Sequence, residues 1–233
     1  MLMLSEFRHN PGAYFVFLCR PPAGRLPIGG SMSLKGYFTW FQENWQKAGV
    51  AVGLFLAIYL VVLVLPHNTL WFALLMFTPL YNLHETEEYI FPGGFAQFFN
   101  QNILKTDPQT GPLNIPAVFW INMAYVWIAL PLFSLLAIVD LRWGAWMPYF
   151  FIFQALAHLI LGIVGKRLLN PGMLSGWLVI VPWGAWTIWL LVQSKTITNP
   201  YWNVYLLIGL LVNLSLPVVG RFLLVNYRRR QTA

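Results

Sequence analysis

The sequence predicts an all-α protein, a polytopic transmembrane helix bundle of about six spans with both termini in the cytoplasm. Two observations predict this class. Hydrophobic residues make up 58% of the 233 residues and charged residues only 9%, whereas soluble domains carry roughly one quarter charged residues. Six mainly apolar stretches also reach the length of about 20 residues that a helix needs to cross a bilayer.

Turn residues separate these stretches, notably Pro-Gly and Asn-Pro pairs. The predicted spans are 48–65, 69–90, 117–139, 146–165, 174–193 and 203–225. Prolines inside the spans are predicted to kink the helices rather than to end them, because neighbouring helices can bind the freed carbonyls. They are Pro79, Pro131, Pro182 and Pro217.

Basic residues divide unequally between the two sides of the predicted bundle. With six spans the termini share one side, and twelve of the 14 lysines and arginines fall there. Only Arg142 and Lys195 fall on the other side. The excess of basic residues marks the side of the termini as cytoplasmic. It also explains most of the net charge of +7 without a nucleic-acid partner, which would require a basic patch on a soluble surface.

Outside the spans, the sequence predicts short segments at each end. Phe38, Phe41 and Trp45 recur at helical spacing and predict an amphipathic helix on the membrane surface. The single cysteine, Cys19, excludes an intrachain disulfide framework and a multi-cysteine metal site. No signal peptide is predicted, and translation is expected to start at Met1 or Met32. The predicted segments are a flexible extension (1–31), an interfacial helix (32–47), a transmembrane domain (48–225) and a basic cytoplasmic tail (226–233).

The stretch YNLHETEEYIFPGG, residues 81–94, concentrates acidic residues in a chain that has only seven of them. On a helix, His84, Glu85, Glu87 and Glu88 share one face, in the cytoplasmic third of the second span. A carboxylate deep in a bilayer costs about 2.5–3.5 kcal/mol. A metal ion, a cationic partner or protonation would offset that cost. Alternatively, the acids lie close enough to the membrane interface to reach water and have no function.

His158 lies at a similar depth on the fourth span, which runs in the same direction as the second. Together with the i, i+4 pair His84 and Glu88, it would supply three metal ligands and leave room for water or substrate. Catalytic zinc commonly has this arrangement, and two histidines with carboxylates also suit iron. Glu87 is the predicted general base or a further ligand. Other polar residues that could reach the site are Gln154, one turn before His158, Asn122 and Asn213.

At this motif the sequence resembles the HXXEE-domain proteins, small integral membrane proteins of uncharacterised function. The matching residues are His84, Glu87 and Glu88. Asn-Pro-Gly at 170–172, after the span that carries His158, also fits the family pattern, and the resemblance covers roughly 50–225. It implies a membrane protein but no reaction. The zincin signature H-E-x-x-H fails, because Glu88 replaces the second histidine.

The sequence is compatible with three classes of function. The first is a membrane-embedded enzyme, metal-dependent or acid–base, that acts on a lipid or another apolar small molecule near the cytoplasmic leaflet. The second is a proton-coupled transporter or small-molecule-binding membrane protein, since histidine and carboxylate relays also serve pumps. The chain has no clear repeat to support alternating access. The third is a structural membrane subunit.

Overall fold

The computed structural model describes residues 33–232, and their regular secondary structure is helical, without strands. This confirms the predicted all-α class. The predicted extension 1–31 lies outside the described residues. The helices used below are α1 (Leu34–Leu63), α2 (Thr69–Leu75), α3 (Phe77–Tyr89), α4 (Phe95–Phe98), α5 (Ile115–Val139), α6 (Met147–Val164), α7 (Met173–Gln193) and α8 (Val204–Gln231).

Five helices are long and apolar enough to cross a membrane, namely α1, α5, α6 with the 3-10 turn before it, α7 and α8. Large apolar side chains cover their outer faces. Phe55 on α1 is 69% exposed and Val218 on α8 is 68% exposed, and so much exposed apolar surface fits contact with lipid. These helices therefore fit a membrane protein. The number of spans and the side on which the termini lie stay predictions.

The second predicted span, 69–90, is not one continuous helix. Helices α2 and α3 meet at Met76, a single non-helical residue three positions before Pro79. Pro79 lacks the backbone N–H that a continuous helix would need at this point. Side chains of other helices bind carbonyls next to the break. Trp183 Nε1 donates to Ala73 O at 3.0 Å, and Ser134 Oγ donates to Leu74 O at 2.9 Å.

The other prolines lie within helices, as predicted. A π-helical stretch, Met123–Ala129, precedes Pro131 in α5, and another, Gly176–Ile180, precedes Pro182 in α7. Proline removes one hydrogen bond and crowds the carbonyl four residues earlier, and the wider π turn accommodates this. Pro217 lies inside α8.

The predicted interfacial helix, 32–47, and the first predicted span, 48–65, form one helix in the structure, α1. Contacts divide the chain into two units between Phe41 and Gln42, and all the packing described below belongs to the second unit. A position of the first turns of α1 on the membrane surface stays a prediction. Helix α8 extends to Gln231, so most of the predicted tail 226–233 is helical.

An aromatic contact holds α3 against α6. The ring centroids of Phe77 and Phe151 lie 4.3 Å apart, and neither side chain is exposed. Seven residues are about two helical turns. Seven positions later in both helices come His84 and His158, whose ring centroids are 5.0 Å apart. The two histidines therefore face each other because their helices run side by side in the same direction, as predicted.

Candidate metal centre

The structure brings together the three residues predicted as metal ligands. Glu88 Oε1 lies 3.3 Å from His84 Nε2 and 2.9 Å from His158 Nε2. All three ligand atoms fall within 4.8 Å of one another. The two histidines are completely buried and Glu88 is only 4% exposed. Two ligands therefore come from one turn of α3 and the third from α6.

The first turn of α7 fixes the tautomer of His84. Ser175 Oγ donates its hydrogen to Glu87 Oε2 at 2.5 Å and lies 2.9 Å from His84 Nδ1. A hydroxyl has one hydrogen to donate, so Ser175 accepts its second bond from the Nδ1–H of His84. The neutral ring then carries its hydrogen on Nδ1, and the lone pair on Nε2 points toward Glu88.

The Asn-Pro-Gly turn fixes His158 in the same way. His158 Nδ1 lies 2.9 Å from Asn170 Oδ1, and Asn170 Nδ2 donates to the carbonyl oxygens of His158 and Leu168, at 2.9 and 3.4 Å. The reversed amide would place Oδ1 against two carbonyl oxygens, so the assignment is chemically determined. His158 therefore donates its Nδ1–H to Asn170. Its Nε2 lone pair also points toward Glu88.

When both rings are neutral, three lone-pair atoms thus converge at one point. The two Nε2 atoms and Glu88 Oε1 have no further hydrogen-bond partner among the described residues. Ligands about 2.1 Å from one ion lie about 3.0 Å apart in octahedral and about 3.4 Å apart in tetrahedral coordination. The separations of 2.9 and 3.3 Å match these values. The group could hold a divalent metal ion, or a proton shared between histidine and Glu88.

Gly172 closes the cluster from the side of the turn. Its φ is +93°, and a Cβ on it would lie 2.5 Å from His158 Cε1, 2.9 Å from His84 Cε1 and 3.0 Å from Glu88 Cγ. Only glycine allows the backbone to approach three ligand side chains so closely in this conformation. Asn170 and Gly172 of the same turn therefore both serve the cluster, one by hydrogen bonding and the other by its missing side chain.

Glu87, the predicted general base, is bound to the start of α7. Its Oε1 accepts from the backbone N–H of Leu174 at 3.1 Å, and its Oε2 accepts from the N–H of Ser175 at 2.6 Å as well as from the hydroxyl. A carboxylate at a helix N-terminus binds N–H groups that have no partner within the helix. Glu87 therefore joins α3 to α7 and holds the serine that orients His84.

Glu85 differs from Glu87 and Glu88 because its carboxylate is buried and makes no hydrogen bond or ion pair with another group among the described residues. It is 2% exposed, and neither Oε1 nor Oε2 has a hydrogen-bond partner among the described residues. On the same helix face, Thr78 Oγ1 and Asn82 Oδ1 are also buried without partners in the described part of the chain. A buried carboxylate without a partner is costly. This face of α3 therefore carries a second polar group next to the ligand cluster.

The other polar residues expected near the site bind elsewhere. Gln154 Oε1 accepts from Asn213 Nδ2 at 2.9 Å, while Asn170 is the residue that orients His158. Asn122 lies next to Tyr89, whose hydroxyl it contacts at 3.4 Å. Sequence reasoning missed the role of Ser175, and it noted the Asn-Pro-Gly turn only as a break and a family feature.

One comparison with known proteins identifies the domain that contains this site. Residues 75–187 match the family model described as "Protein of unknown function with HXXEE motif". The match includes all three candidate ligands and the Asn-Pro-Gly turn. No curated protein and no solved structure matches the chain significantly. This match confirms the resemblance seen in the sequence over residues 75–187, a narrower range than 50–225, and no function is established for the HXXEE family.

Proposed function

We propose that this chain is a membrane-embedded, metal-dependent enzyme that acts on a lipid or another apolar small molecule. A divalent ion, zinc or iron, is held by His84, Glu88 and His158. The observation that carries the proposal is the convergence of His84 Nε2, His158 Nε2 and Glu88 Oε1, with Ser175 and Asn170 holding the Nδ1 atoms of the two histidines. Histidine ligands of metals characteristically donate their second ring N–H in this manner.

The number of ligands supports a catalytic rather than a structural ion. Structural zinc sites have four protein ligands, whereas catalytic sites have three and leave a position for water or substrate. Two histidines and one carboxylate also form the set that non-haem iron enzymes use. The described part of the chain offers one cluster of this kind. We therefore assign the open coordination positions to water and substrate.

The acidic neighbours take different roles in this proposal. Both oxygens of Glu87 are engaged by α7, so Glu87 is a positioning residue that holds Ser175 against His84. The predicted role of general base passes to Glu85, whose oxygens are buried and have no partner in the described residues. Such a carboxylate is available to accept a proton from a water or substrate beside it.

An apolar substrate follows from the surroundings of the site. Helix α6, which carries His158, is one of the five long apolar helices. The aromatic rings of Tyr81 and Phe95 lie against His84 and His158, with centroids 5.3 and 5.4 Å away. A polar metabolite would lose its hydration on entering such surroundings without gaining many hydrogen bonds. A lipid or isoprenoid-like molecule would lose little.

Metal analysis of the purified full-length protein tests the proposal first. Detergent-purified protein is stripped with a chelator, reloaded with zinc or ferrous iron, and analysed for bound metal by mass spectrometry. We expect one ion per chain, lost in His84→Gln and His158→Gln but retained in His67→Gln. His67 lies in the turn between α1 and α2 and is exposed. One ion per chain in all three variants would refute the assignment, provided circular dichroism shows that they fold.

The reaction is tested separately in liposomes made from a total lipid extract. Lipids are analysed by mass spectrometry after incubation with metal-loaded wild type and with His158→Gln. A product formed by the wild type alone supports an enzyme. Stoichiometric metal without any converted lipid would favour the structural subunit. Solute uptake driven by a pH gradient and lost in the variant would favour the transporter.

A further inference from the structure

Two adjoining cavities lie along α5 and just beyond its C-terminal end, and none of the three metal-ligand residues lines either of them. The larger, an apolar crevice of about 1000 Å³, is bordered by α5 and α8. The smaller, a polar hollow of about 450 Å³, lies between the end of α5 and the residues after α7. Asp140 and Arg142 line both cavities. An amphipathic molecule could therefore occupy both at once.

The crevice has the length and lining for a hydrocarbon chain. Its walls include Phe133, Trp146 and Leu211, and the small side chain of Ala129 widens it. From Tyr125 to Asp140, the residue after α5, the crevice extends over 15 residue steps, which is about 22 Å at a helical rise of about 1.5 Å per residue. One leaflet of a bilayer core is about 15 Å thick. The crevice can thus take an extended acyl chain.

The hollow has the charges for a phosphate. Arg142 binds Asp140 through Nε at 2.9 and 3.0 Å and through Nη2 at 2.6 Å, which leaves other guanidinium N–H groups free to donate. Those bonds hold the pKa of the Asp140 carboxyl below its ordinary value. Lys195 lines the hollow with Ser194 and Thr196, and its ammonium makes no ion pair with any residue that the structure describes.

The distribution of basic residues supports a dedicated site. Of the 14 lysines and arginines, only Arg142 and Lys195 are predicted on the side of the membrane opposite the termini. These two residues meet at one hollow. Two cations and one carboxylate leave a net positive charge, which complements a singly charged phosphodiester.

We infer that these two cavities form one binding site for a membrane phospholipid, with its phosphate in the polar hollow and one acyl chain in the crevice. Asp140 orients the guanidinium of Arg142, and Lys195 approaches the phosphate from the end of α7. The inference requires the chain to lie in a membrane but does not require a metal ion at His84, Glu88 and His158. Its failure and the failure of the metal site are therefore distinguishable.

The headgroup is tested by native mass spectrometry of delipidated full-length protein in detergent. Dioleoyl phosphatidylglycerol is compared with dioleoylglycerol, which has the same chains but no phosphate. We expect one retained phospholipid per chain and much weaker retention of the neutral lipid. In Arg142→Gln/Lys195→Gln, loss of the charge-assisted hydrogen bonds should weaken phospholipid binding about tenfold or more. Lys166→Gln is the matched control, because Lys166 and Lys195 both follow a helix with positive φ, 54° and 61°.

The acyl chain is tested by filling the crevice. Ala129→Phe should weaken phospholipid binding about tenfold, because the added ring occupies the space of the chain. Ala51→Phe on the exposed surface of α1 is the control and should leave binding unchanged. Equal retention of both lipids, or normal binding in the Arg142/Lys195 double variant, would overturn the inference. Normal binding in Ala129→Phe, with displacement by inorganic phosphate, would identify a free phosphate site and overturn it too.

Discussion

His158 and Asn170 are joined twice, by the ring Nδ1–H donating to Asn170 Oδ1 and by Asn170 Nδ2 donating to the carbonyl of His158, both at 2.9 Å. One asparagine therefore fixes both the ring and the backbone of a candidate metal ligand. The i, i+12 separation reflects a chain that leaves α6 and returns through the Asn-Pro-Gly turn. This pair gives the most direct test of whether the cluster is built for a metal.

Asn170→Ala should lower metal affinity by about 10- to 100-fold, the usual cost of removing a hydrogen-bond partner of a metal-bound histidine. His158 would lose the acceptor that keeps its hydrogen on Nδ1. Isothermal titration of the stripped protein with zinc measures the change. Asn199→Ala is the matched control, since Asn199 also precedes a proline in a loop and accepts N–H bonds from Tyr201 and Trp202. An equal effect of both variants would show that the loss is not specific to the site.

Gly172→Ala should destabilise the protein through backbone strain and should also disturb the ligand cluster, because the added Cβ would clash with its side chains. Gly172 and Gly94 both have positive φ, +93° and +89°, but a Cβ on Gly94 would meet no atom closer than 3.9 Å. Gly94→Ala should therefore cost only the left-handed backbone penalty, about 1–2 kcal/mol. Gly172→Ala adds a clash with His158 and should also weaken metal binding about tenfold or more. Melting temperature and bound metal measure the two effects, and normal metal binding by Gly172→Ala would contradict the geometry.

The first-order features of the fold and site follow from local patterns. Lengths of apolar runs predict the long helices, and the i, i+4 spacing on a helix predicts that His84 and Glu88 lie together. The depth of His158, on a helix that runs in the same direction, predicts that it lies beside His84. Each of these predictions depends only on the positions of residues along one helix or on the relative direction of two helices.

The groups that orient the ligands could not be predicted from such patterns. Ser175 and Asn170 reach the histidines because a turn after α6 folds back onto α3, and contacts of this kind depend on tertiary packing. The same packing engages both oxygens of Glu87, whereas Glu85 has no partner within residues 33–232. The resemblance to the HXXEE family, whose motif includes Glu87 but not Glu85, instead favours Glu87 as the general base.

Glu85→Gln and Glu87→Gln should change stability in opposite directions. Glu85→Gln removes the cost of burying a carboxylate that has no partner among the described residues. The melting temperature of this variant should therefore rise by about 2–4 °C or more. Glu87→Gln weakens the charged hydrogen bonds at the start of α7 and should lower it by several degrees.

Glu43→Gln, at an exposed position of α1, is the control and should change the melting temperature little. Thermal unfolding in detergent, followed by circular dichroism, measures all three variants in the stripped protein. A lower melting temperature for Glu85→Gln would mean that Glu85 has a stabilising partner, and its proposed role as a free base would fail.

The Gln154–Asn213 pair should contribute to helix packing but not to the metal centre. Asn213 Nδ2 donates to Gln154 Oε1 at 2.9 Å, and both residues are 8% exposed, so the bond ties α6 to α8 in an apolar environment. A double-mutant cycle with alanine at both positions should give a coupling free energy of about 0.6 kcal/mol, typical of hydrogen bonds between membrane helices. Zinc affinity should remain that of the wild type, because Asn170 already binds His158 Nδ1. Gln154 lies one turn before His158 on α6, from where it could also orient the ring. If Gln154→Ala weakens zinc binding as strongly as Asn170→Ala, Gln154 is the residue that orients His158, and the contact between His158 and Asn170 does not serve the metal centre.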